Sequence, residues 1–437
     1  MLVTATGARI ELRRVGNTTT YESADSSYFK LVDHGMSGAT VWMKDGTQMS
    51  FSPSVNEMRC TKIKDRNGNF ISVSYTAQGN IDLVTDTLGR QIVFTYDTNH
   101  RLQKISQSRT DMVDDLVTFG YSNVSFAPSF PGYTVLAPAT ATIPVLTQVG
   151  FADGTRYNFE YTTFGQVNKI RRHEADNRLL SYVRYNLGTG AQSDCPRFSE
   201  ERVWAEHWND ELEALTTYSG NVTSGESQIT TPDLVVHKQF YHTSGWREGL
   251  VQKTETWSGG VKRKWTEMYW TQDNEALPYQ VNPRPNDIRV FDEAGNQRRV
   301  TIAYTSYGLP ANVREYSGAA VVRRRETQYR FDAAFVDRHI LGVVWLELVY
   351  EGENTLMSKL NYHHDWTDAD SWNGQTPSTG HDTANYGSSF TWGRANVTGI
   401  RRYNLAAPND DNQAVWIQRF GYNAAGLPFK LRDAANH

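Results

Sequence analysis

Hydrophobic and polar residues alternate with a period of two in short stretches of this chain, and one stretch is repeated at a fixed interval. Residues 70–75 carry apolar side chains at every second position with serines between them, and residues 91–96 repeat this pattern 21 residues later. Alternation of β-branched and aromatic residues predicts a strand with one buried face. A repeat of this length is typical of an array built from one small unit. The apolar positions are Ile71, Val73 and Tyr75 in the first copy and Ile92, Phe94 and Tyr96 in the second.

A turn signal precedes each of these two strands. The pattern Asp-x-x-Gly occurs at Asp65 to Gly68 and again at Asp86 to Gly89. It suits a type I turn, because the Asp side chain can bond the backbone two residues on and Gly tolerates a positive φ. The sequence therefore predicts a tight turn at the entry to each strand.

A second turn signal follows each strand and extends the repeat along the chain. Gly79 stands four residues after Tyr75, and His100 takes the same position after Tyr96. Degenerate copies keep Tyr-x-x-x-Gly and an apolar residue five positions after the Gly, where the first two copies have Val84 and Ile105. The further copies are Tyr161/Gly165, Tyr241/Gly245, Tyr304/Gly308 and Tyr422/Gly426, with Ile170, Leu250, Val313 and Leu431 at the apolar position. The unit is therefore predicted to be strand, turn, strand, turn, with antiparallel pairing.

A further apolar position in the repeat does not fit a regular strand. Ile81, Leu102 and Val167 stand two residues after the turn and three residues before the other apolar position. Residues three apart on a regular strand point to opposite faces of the sheet. Two arrangements satisfy the pattern: a bulge resets the register, or the second strand packs on both faces.

The length of the chain favours a continuous array over separate domains. Its 437 residues exceed the roughly 250–300 at which one hydrophobic core stops growing, yet no proline-rich or Gly/Ser-rich linker divides it. In an array each unit packs only on its neighbours, so no linker is needed. We therefore predict an all-β fold in which consecutive hairpins form one antiparallel sheet over residues 1–437. We expect regular repeats at 60–106, degenerate repeats at 150–172, 236–256, 289–316 and 415–437, and irregular insertions at 107–149 and 190–235.

Composition and charge narrow the class of partner. The net charge is −4 with both signs interspersed, so we predict no nucleic-acid partner and interpret Arg171–Arg172 and Arg323–Arg325 as solvated faces. No apolar run approaches 18 residues, so we predict no membrane span. The chain opens in strand-like sequence, with no signal peptide visible, and we expect a segment of a longer polypeptide. Cys60 and Cys195 are interpreted as two buried thiols.

The sequence contains no catalytic motif of useful specificity, so we predict no enzyme activity and assign no catalytic, cofactor-binding or metal-binding residue. One cluster has metal-ligating residue types, and its aromatic neighbours would suit a sugar-stacking loop. It comprises His363, His364, Asp365, Asp368 and Asp370, with His381, Asp382, Trp366 and Trp372 nearby. Adjacent histidines on a strand point to opposite faces, so at most one suits a given metal. We interpret the cluster as a polar loop without a ligand.

A second cluster is acidic. Residues 200–215 have a partial apolar stripe and are predicted to form an amphipathic helix. On such a helix Glu206 and Asp210 share a face at i, i+4 and could supply paired carboxylates for glycosidic chemistry. Surface helices commonly carry this pattern, so we interpret the cluster as a solvated face. Its other members are Glu200, Glu201, His207 and Glu211.

The repeat resembles the YD repeats of the Rhs family. The resemblance rests on the stretches 65–81, 95–105 and 421–433, and most closely on Tyr96, Asp97, Arg101 and Leu102. The family's unit has Tyr-Asp followed after two residues by Gly-Arg-Leu, and His100 replaces that Gly here. In the other copies the residue after the Tyr is not Asp, so the array is degenerate.

The resemblance implies a fold and a role. In Rhs proteins, in the C components of insecticidal toxin complexes and in teneurins, YD repeats form one long sheet that spirals into a hollow shell or cocoon. The bacterial shells enclose a C-terminal toxin or effector domain, and teneurins are extracellular adhesion proteins. The Asp-Pro-x-Gly-Leu segment that acts in self-cleavage of the bacterial shells does not occur in this sequence. The resemblance thus implies a non-catalytic shell segment without cofactors, part of a larger secreted or surface-delivered protein.

Three functions follow from these features. The first is a structural container for protein cargo, and teneurin-like adhesion differs from it only in having a cell-surface partner. The third is a polysaccharide-binding or glycoside-active module that uses exposed Trp and Tyr. Burial of Trp257, Trp265 and Trp270 between sheet layers would favour the container, and exposure side by side would favour the glycan.

Overall fold

A computed structural model describes most of the chain. The described residues are 1–437 except 55–56, 109–112, 135, 137–141, 189, 209–211, 222, 366–370, 374, 378 and 436–437. Within them strands are the main element and helices are short: α1 spans Ala333–Val336 and α2 spans Thr383–Tyr386. Three 3-10 turns occupy Gly35–Ser37, Gly245–Arg247 and Asp411–Gln413.

The strands follow one another along the whole chain. The first sixteen are β1 Leu2–Val3, β2 Arg9–Ile10, β3 Leu12–Arg14, β4 Thr20–Ser23, β5 Lys30–Asp33, β6 Ala39–Trp42, β7 Gln48–Pro53, β8 Met58–Lys64, β9 Phe70–Tyr75, β10 Ile81–Thr85, β11 Gln91–Tyr96, β12 Leu102–Ser108, β13 Val113–Ser125, β14 Thr142–Phe151, β15 Arg156–Tyr161 and β16 Val167–His173. The remaining strands are β17 Leu179–Asn186, β18 Glu200–Ala205, β19 Ala214–Asn221, β20 Glu226–Thr230, β21 Val236–Tyr241, β22 Val251–Ser258, β23 Val261–Thr271, β24 Arg284–Asp292, β25 Gln297–Tyr304, β26 Pro310–Ser317, β27 Ala320–Tyr329, β28 Val344–Glu351, β29 Thr355–His364, β30 Val397–Arg402, β31 Val415–Tyr422 and β32 Pro428–Asp433.

Every strand from β3 to β32 pairs antiparallel with the next strand in the chain. The pairing runs without a crossover, so these 30 strands form one sheet in sequence order among the described residues. No ladder in the described part of the chain joins β3 to β32, so the sheet is open. The strands β1 and β2 form a separate small sheet. The prediction of an all-β array of hairpins in one long antiparallel sheet is confirmed.

The stretches expected to be irregular continue the sheet. Strands β13 and β14 occupy about half of 107–149, and β18 to β20 lie within 190–235. The helix predicted over 200–215 is wrong, because β18 and β19 stand there on either side of a turn. The apolar residues that looked like a helical stripe pair across strands instead, and Trp204 stacks on Tyr182 with ring centroids 5.5 Å apart.

A bulge follows the tyrosine in every copy of the repeat. Tyr96 is opposite Leu102 and Phe94 is opposite Ile105, with a register shift between the two pairs. The shift puts Leu102 and Ile105 on the same face, although they are three residues apart. The ladders that follow Tyr75, Tyr161, Tyr241, Tyr304 and Tyr422 have the same shift. Of the two arrangements left open by the sequence, the bulge is therefore the one that the chain adopts.

Buried apolar residues are few because the sheet is mostly a single layer. One cluster lies where β1 and β2 cover the first strands, and it is centred on Leu2, Ile10 and Val41. A second cluster joins Phe335 and Ile340 to Val343 and Ala395 in the connections of the last third. Elsewhere one face of the sheet alternates apolar side chains and is only half-buried.

Cations stacked on aromatic rings cover part of the opposite face. Arg299 lies 5.0 Å from the ring centre of Tyr316, and Arg324 lies 3.9 Å from that of Tyr350. Both pairs join directly neighbouring strands of the sheet. An arginine over a ring adds roughly 0.5–1 kcal/mol at an exposed site and also removes apolar surface from water. Such pairs therefore stabilise a sheet that lacks a second layer.

Candidate functional site: the seam between successive turns of the sheet

The turn after each repeat tyrosine has one residue in the left-handed region. Gly79 has φ of 84° and His100 has φ of 60°. In the same place Gly165, Gly245, Gly308 and Gly426 also have positive φ. At Asp97 the carboxylate accepts hydrogen bonds from the backbone N–H groups of Asn99 and Arg101 at 2.9 Å and from the Arg101 side chain at 2.7 Å. The side chains that define the repeat thus shape the turn itself.

The Asp-x-x-Gly turns are built in a similar way on the other edge of the sheet. The N–H of Gly89 donates to the carbonyl of Asp86 at 3.1 Å, and its φ is 81°. Gly68 donates to the carbonyl of Asp65 at the same distance, with φ of 96°. Both kinds of turn signal therefore occur where a hairpin reverses.

The repeat tyrosines occupy equivalent places on their strands. The hydroxyl of Tyr96 donates to the carbonyl of Ile81 at 2.7 Å, one strand earlier. Hydroxyls of Tyr75, Tyr161 and Tyr304 donate in the same way to Cys60, Leu146 and Pro285. Tyr241 departs from this pattern, since its hydroxyl donates to the side chain of Gln239. Each of these four bonds ties one strand to its predecessor.

Beyond the repeats, the sheet returns on itself. The turn at 24–28, between β4 and β5, is hydrogen-bonded to the connections around β24 and α1, some 250 to 310 residues later. The N–H of Ser26 donates to Oδ1 of Asn282 at 3.0 Å, and Nε2 of His339 lies 2.6 Å from the carbonyl of Tyr28. Arg284 donates to the hydroxyl of Tyr28. The edge of the first strands therefore lies against the opposite edge of the last strands.

The contact continues along the following hairpin turns. The N–H of Leu341 donates to the carbonyl of Lys44 at 2.9 Å, and Asp45 forms a β-bridge with Ile340. Two turns on, Lys64 forms an ion pair with Asp382 at 2.8 Å, and both side chains are largely buried. We call this contact the seam. On the first circuit of the sheet the seam comprises 24–28, 44–48, 64–70 and 87. On the second circuit it comprises 280–284, 308, 339–341, 379–396 and 424–426.

Arg394 is the most buried charged side chain among the described residues of the seam. Its side chain is 1% exposed, and its guanidinium donates only to backbone carbonyls. It bonds Asn67 at 2.8 Å across the seam and Phe390 at 2.9 Å within its own loop, and it also bonds Ala424. Burial lowers the pKa of Arg394 to about 10, so the group remains charged at neutral pH. One cation thus joins three separate segments of the chain.

Asp365 holds the loop that carries Arg394. Its carboxylate accepts from the backbone N–H groups of 393–396, at 2.8 to 3.0 Å. Burial raises the pKa of Asp365, and these four hydrogen bonds oppose that change. The carboxylate therefore fixes the backbone that aims Arg394 at Asn67.

Three glycines of the repeat or its turns lie where the two edges approach most closely. A Cβ added at Gly68 would lie 2.5 Å from Tyr386, and one at Gly426 would lie 2.3 Å from Asn67. At Gly308 it would lie 2.5 Å from Tyr28. Glycine is needed at these places both for its positive φ and for the close contact. The sequence predicts the first need, and only the folded chain reveals the second.

The described side chains of metal-ligating types in the 363–382 cluster do not come together at one point. His364 is buried, and His363 lies against Trp416 with ring centroids 4.8 Å apart. Asp382 pairs with Lys64 in the seam, and His381 bonds the carbonyl of Asn67. Among the described residues no group of three ligands could hold a metal ion. Trp366, Asp368 and Asp370 lie outside the described residues.

The acidic cluster is spread over strand and turn. Glu206 pairs with Arg178, and Glu200 pairs with Arg202. Asp210 and Glu211 lie outside the described residues, so their distance from Glu206 is not defined. Cys195 is exposed and Cys60 is half-buried, so the prediction of two buried thiols is wrong for Cys195. Its loop precedes β18.

The tryptophans predicted to discriminate between container and glycan site are half-buried. Trp265 stacks flat on Phe291 with centroids 4.7 Å apart, and Lys262 lies 4.3 Å from its ring. Trp270 donates from its ring N–H to the carbonyl of Val251 at 2.7 Å. The three side chains, Trp257, Trp265 and Trp270, are neither enclosed between two sheet layers nor fully exposed side by side. The described part of the chain also holds no helix long and apolar enough to cross a membrane.

Comparison with known proteins gives only distant similarity. No protein-family model and no curated protein matches the chain. Among solved structures it is similar to a chain of TcdB2-TccC3-Cdc42, with 12% identity over 99% of this chain and a TM-score of 0.33, and to one of TcdB2-TccC3, with 10% identity over 96% and the same TM-score. A porin-like protein from Bacteroides uniformis is 11% identical over 57% of this chain and 83% of its own, with a TM-score of 0.21.

The present chain spans about a quarter of the length of the two toxin-complex chains it matches, 24% and 25% respectively.

Proposed function

We propose that this chain is a non-catalytic wall segment of a shell, within a larger secreted or surface-delivered protein of the Rhs/YD-repeat kind. The observation that carries the proposal is the seam. Thirty strands in sequence order form one continuous sheet. Contact between early and late segments of this sheet means that it completes one full circuit. An open flat sheet would bring no such edges together.

The spacing of the seam contacts gives the width of the enclosed space. Turns in the first third meet connections about 20 strands further along, and strands lie roughly 4.8 Å apart, so one circuit measures on the order of 100 Å. A circuit of that length has a diameter of roughly 30 Å, from which side chains on the inner wall subtract about 10 Å. The remaining width accommodates a polypeptide.

Protein cargo, such as a C-terminal toxin or effector domain, is the partner that fits this geometry best. The seam is sealed by buried hydrogen bonds and an ion pair, which is the construction expected of a wall that excludes proteases and solvent. A glycan site would need aromatic rings offered to solvent, whereas Trp265 lies between Phe291 and Lys262.

Protease protection tests the proposal. The protein is expressed with the sequence that follows this chain in its own reading frame and is digested with proteinase K. We expect the following segment to be protected in the native protein and cleaved when Arg394→Met opens the seam. Equal cleavage rates in the two proteins would contradict a sealed container. Binding to an immobilised glycan that is lost in Trp265→Ala would instead support the glycan-binding alternative.

A further inference from the structure

A cavity lies at one end of strands β19 to β21, outside the seam. Its volume is about 640 Å³, within the roughly 300–1,000 Å³ typical of small-molecule sites. Its lining comes from three places: residues 197–199 of the loop before β18, the β19–β20 hairpin around Gly220 and Gly225, and residues 241–243 and 248–249 of the β21–β22 turn. The cavity therefore forms only when three successive connections meet at the same edge of the sheet.

Two aromatic rings form an apolar corner of this cavity. The ring of Phe198 meets that of Tyr218 edge to face, with centroids 5.0 Å apart and an angle of 84° between the planes. Tyr185 on β17 holds Phe198 from another side, also with centroids 5.0 Å apart. Phe198 is nevertheless 41% exposed. Its ring is thus fixed by packing and still offers apolar surface to a ligand.

Polar side chains surround the aromatic corner and are open to solvent. Asn221, Thr243 and Glu248 line the cavity, and all three are exposed. They supply an amide, a hydroxyl and a carboxylate from two different turns. The Oδ1 atom of Asn221 accepts from the N–H of Thr223 at 2.9 Å, which leaves the NH₂ group of the amide to donate to a ligand. Donors and acceptors are therefore both present, as a ligand with several hydroxyl groups requires.

The charges around the cavity balance and do not select an ion. Arg197 lies 3.5 Å from Asp194, and Glu226 lies 3.1 Å from Lys238. Glu248 in the same lining opposes an anion, and Arg197 opposes a cation. The ligand that fits is neutral, with one apolar face and several hydroxyl groups, which is the chemistry of a sugar ring.

The cavity lies where one copy of the repeat departs from the others. In the copies at Tyr75 and Tyr96, the tyrosine hydroxyl donates to a carbonyl 15 residues earlier. The hydroxyl of Tyr241 donates to the side chain of Gln239 instead. Tyr241 and Glu226, the pair that the usual bond would join, both line the cavity. The open space thus takes the place of a contact that other copies make.

We propose that this cavity binds a neutral saccharide. The C–H face of one sugar ring lies on Phe198 and Tyr218, and its hydroxyl groups bond Asn221, Thr243 and Glu248. The three tryptophans considered above as a glycan site do not line this cavity. The site is independent of the container proposal, since a wall that encloses cargo can also carry a sugar site.

Saturation-transfer NMR of the whole chain with lactose, maltose, cellobiose and chitobiose tests the site. Sorbitol is the comparison probe, because it has the hydroxyl groups of a sugar without the ring. We expect at least one disaccharide to bind and sorbitol to bind at least about tenfold more weakly. Equal binding of sorbitol would show hydroxyl recognition without contact to the aromatic rings. A Kd above about 10 mM for all four disaccharides would show that the cavity is not a sugar site, and either result would overturn the proposal.

Two pairs of variants locate the binding. Phe198→Ala removes the exposed ring, and Phe151→Ala is its matched control, because Phe151 is 38% exposed and also packs edge to face on a tyrosine. Thr243→Arg fills the cavity from an exposed position and leaves the rings in place, and Thr223→Arg is its control at an exposed position outside the lining. We expect Phe198→Ala and Thr243→Arg to weaken disaccharide binding at least about tenfold and both controls to leave it unchanged. Binding that survives Thr243→Arg, or that is lost in Trp265→Ala, would place the sugar elsewhere and overturn the proposal.

Discussion

The guanidinium of Arg394 donates a hydrogen bond to the backbone carbonyl of Asn67 at 2.8 Å, across 327 residues of sequence. This bond joins the β8–β9 turn of the first circuit to the loop before β30 in the second. Both partners belong to the seam, and Arg394 is 1% exposed.

Replacing Arg394 should open the seam. In Arg394→Met the carbonyls of Asn67, Phe390 and Ala424 lose their donor in a buried setting, and we expect a loss of about 3 kcal/mol in the free energy of unfolding. Urea unfolding measures the loss, and hydrogen exchange should show it first at 65–70 and 379–396. Arg197→Met is the control, because that side chain is 81% exposed. Equal effects of the two changes would mean that the seam does not hold the circuits together.

Two turn glycines should differ in their tolerance of alanine. Gly308 and Gly89 both have positive φ, which costs any other residue about 1 kcal/mol. At Gly308 the added Cβ also meets the ring of Tyr28 across the seam, whereas at Gly89 it meets nothing within 4 Å. We expect Gly308→Ala to lower the melting temperature clearly more than Gly89→Ala, as measured by calorimetry. Equal shifts would show that only backbone strain counts.

The seam ion pair should contribute more than an ion pair of similar distance on the surface. Lys64 and Asp382 are 17% and 20% exposed, and the Lys64 ammonium also lies 4.8 Å from the ring centre of Tyr386. In the Arg90–Asp86 pair the arginine is 62% exposed. We expect Lys64→Met to cost about 1–2 kcal/mol and Arg90→Met less than about 0.5 kcal/mol in urea unfolding. A larger effect of Arg90→Met would contradict the importance of burial here.

Acid should destabilise the chain through His364, the buried last residue of β29. Its pKa is about 4 in the folded chain against 6.5 for the ordinary group, so the unfolded chain takes up the proton first. The stability contributed by the neutral ring is complete above pH 6.5 and is lost as the pH falls towards 4, by about 3 kcal/mol at most.

The measurement is the free energy of unfolding at several pH values for His364→Phe and the native chain. We expect the variant to lose less stability between pH 6.5 and 4. Asp382 and Glu255, whose pKa values are lowered by hydrogen bonds and nearby lysines despite burial, add acid sensitivity to both proteins. His34→Phe, at an exposed position, is the control and should follow the native curve. Parallel curves for all three proteins would exclude this role for His364.

The parts of the fold that depend on neighbouring residues could be predicted from the sequence. Alternation at 70–75 gave a strand, and Gly79 and His100 gave turns, because a hairpin is decided within about twenty residues. The helix predicted over 200–215 failed because the ring of Trp204 is covered by Tyr182 on the neighbouring strand. It does not pack along one face of a helix.

The seam could not be predicted in this way. Asn67 and Arg394 carry no mutual signal in a single sequence, because Arg394 lies outside the repeats and Asn67 occupies an unspecified position of the Asp-x-x-Gly turn. A buried arginine that bonds only backbone carbonyls places no demand on the side chains opposite it. The one hint lies in the glycines, since Gly68 and Gly426 occur where a turn needs positive φ and also where another segment passes close by.

The extra residue inserted after every repeat tyrosine has a geometric consequence. A bulge increases the local twist and bends the strand that carries it, and here it recurs once per unit on equivalent strands. Because each unit adds the same bend, the radius of curvature of the sheet depends on the unit and not on the number of units. Adding or deleting whole units should therefore lengthen or shorten the curved sheet while leaving its inner diameter the same.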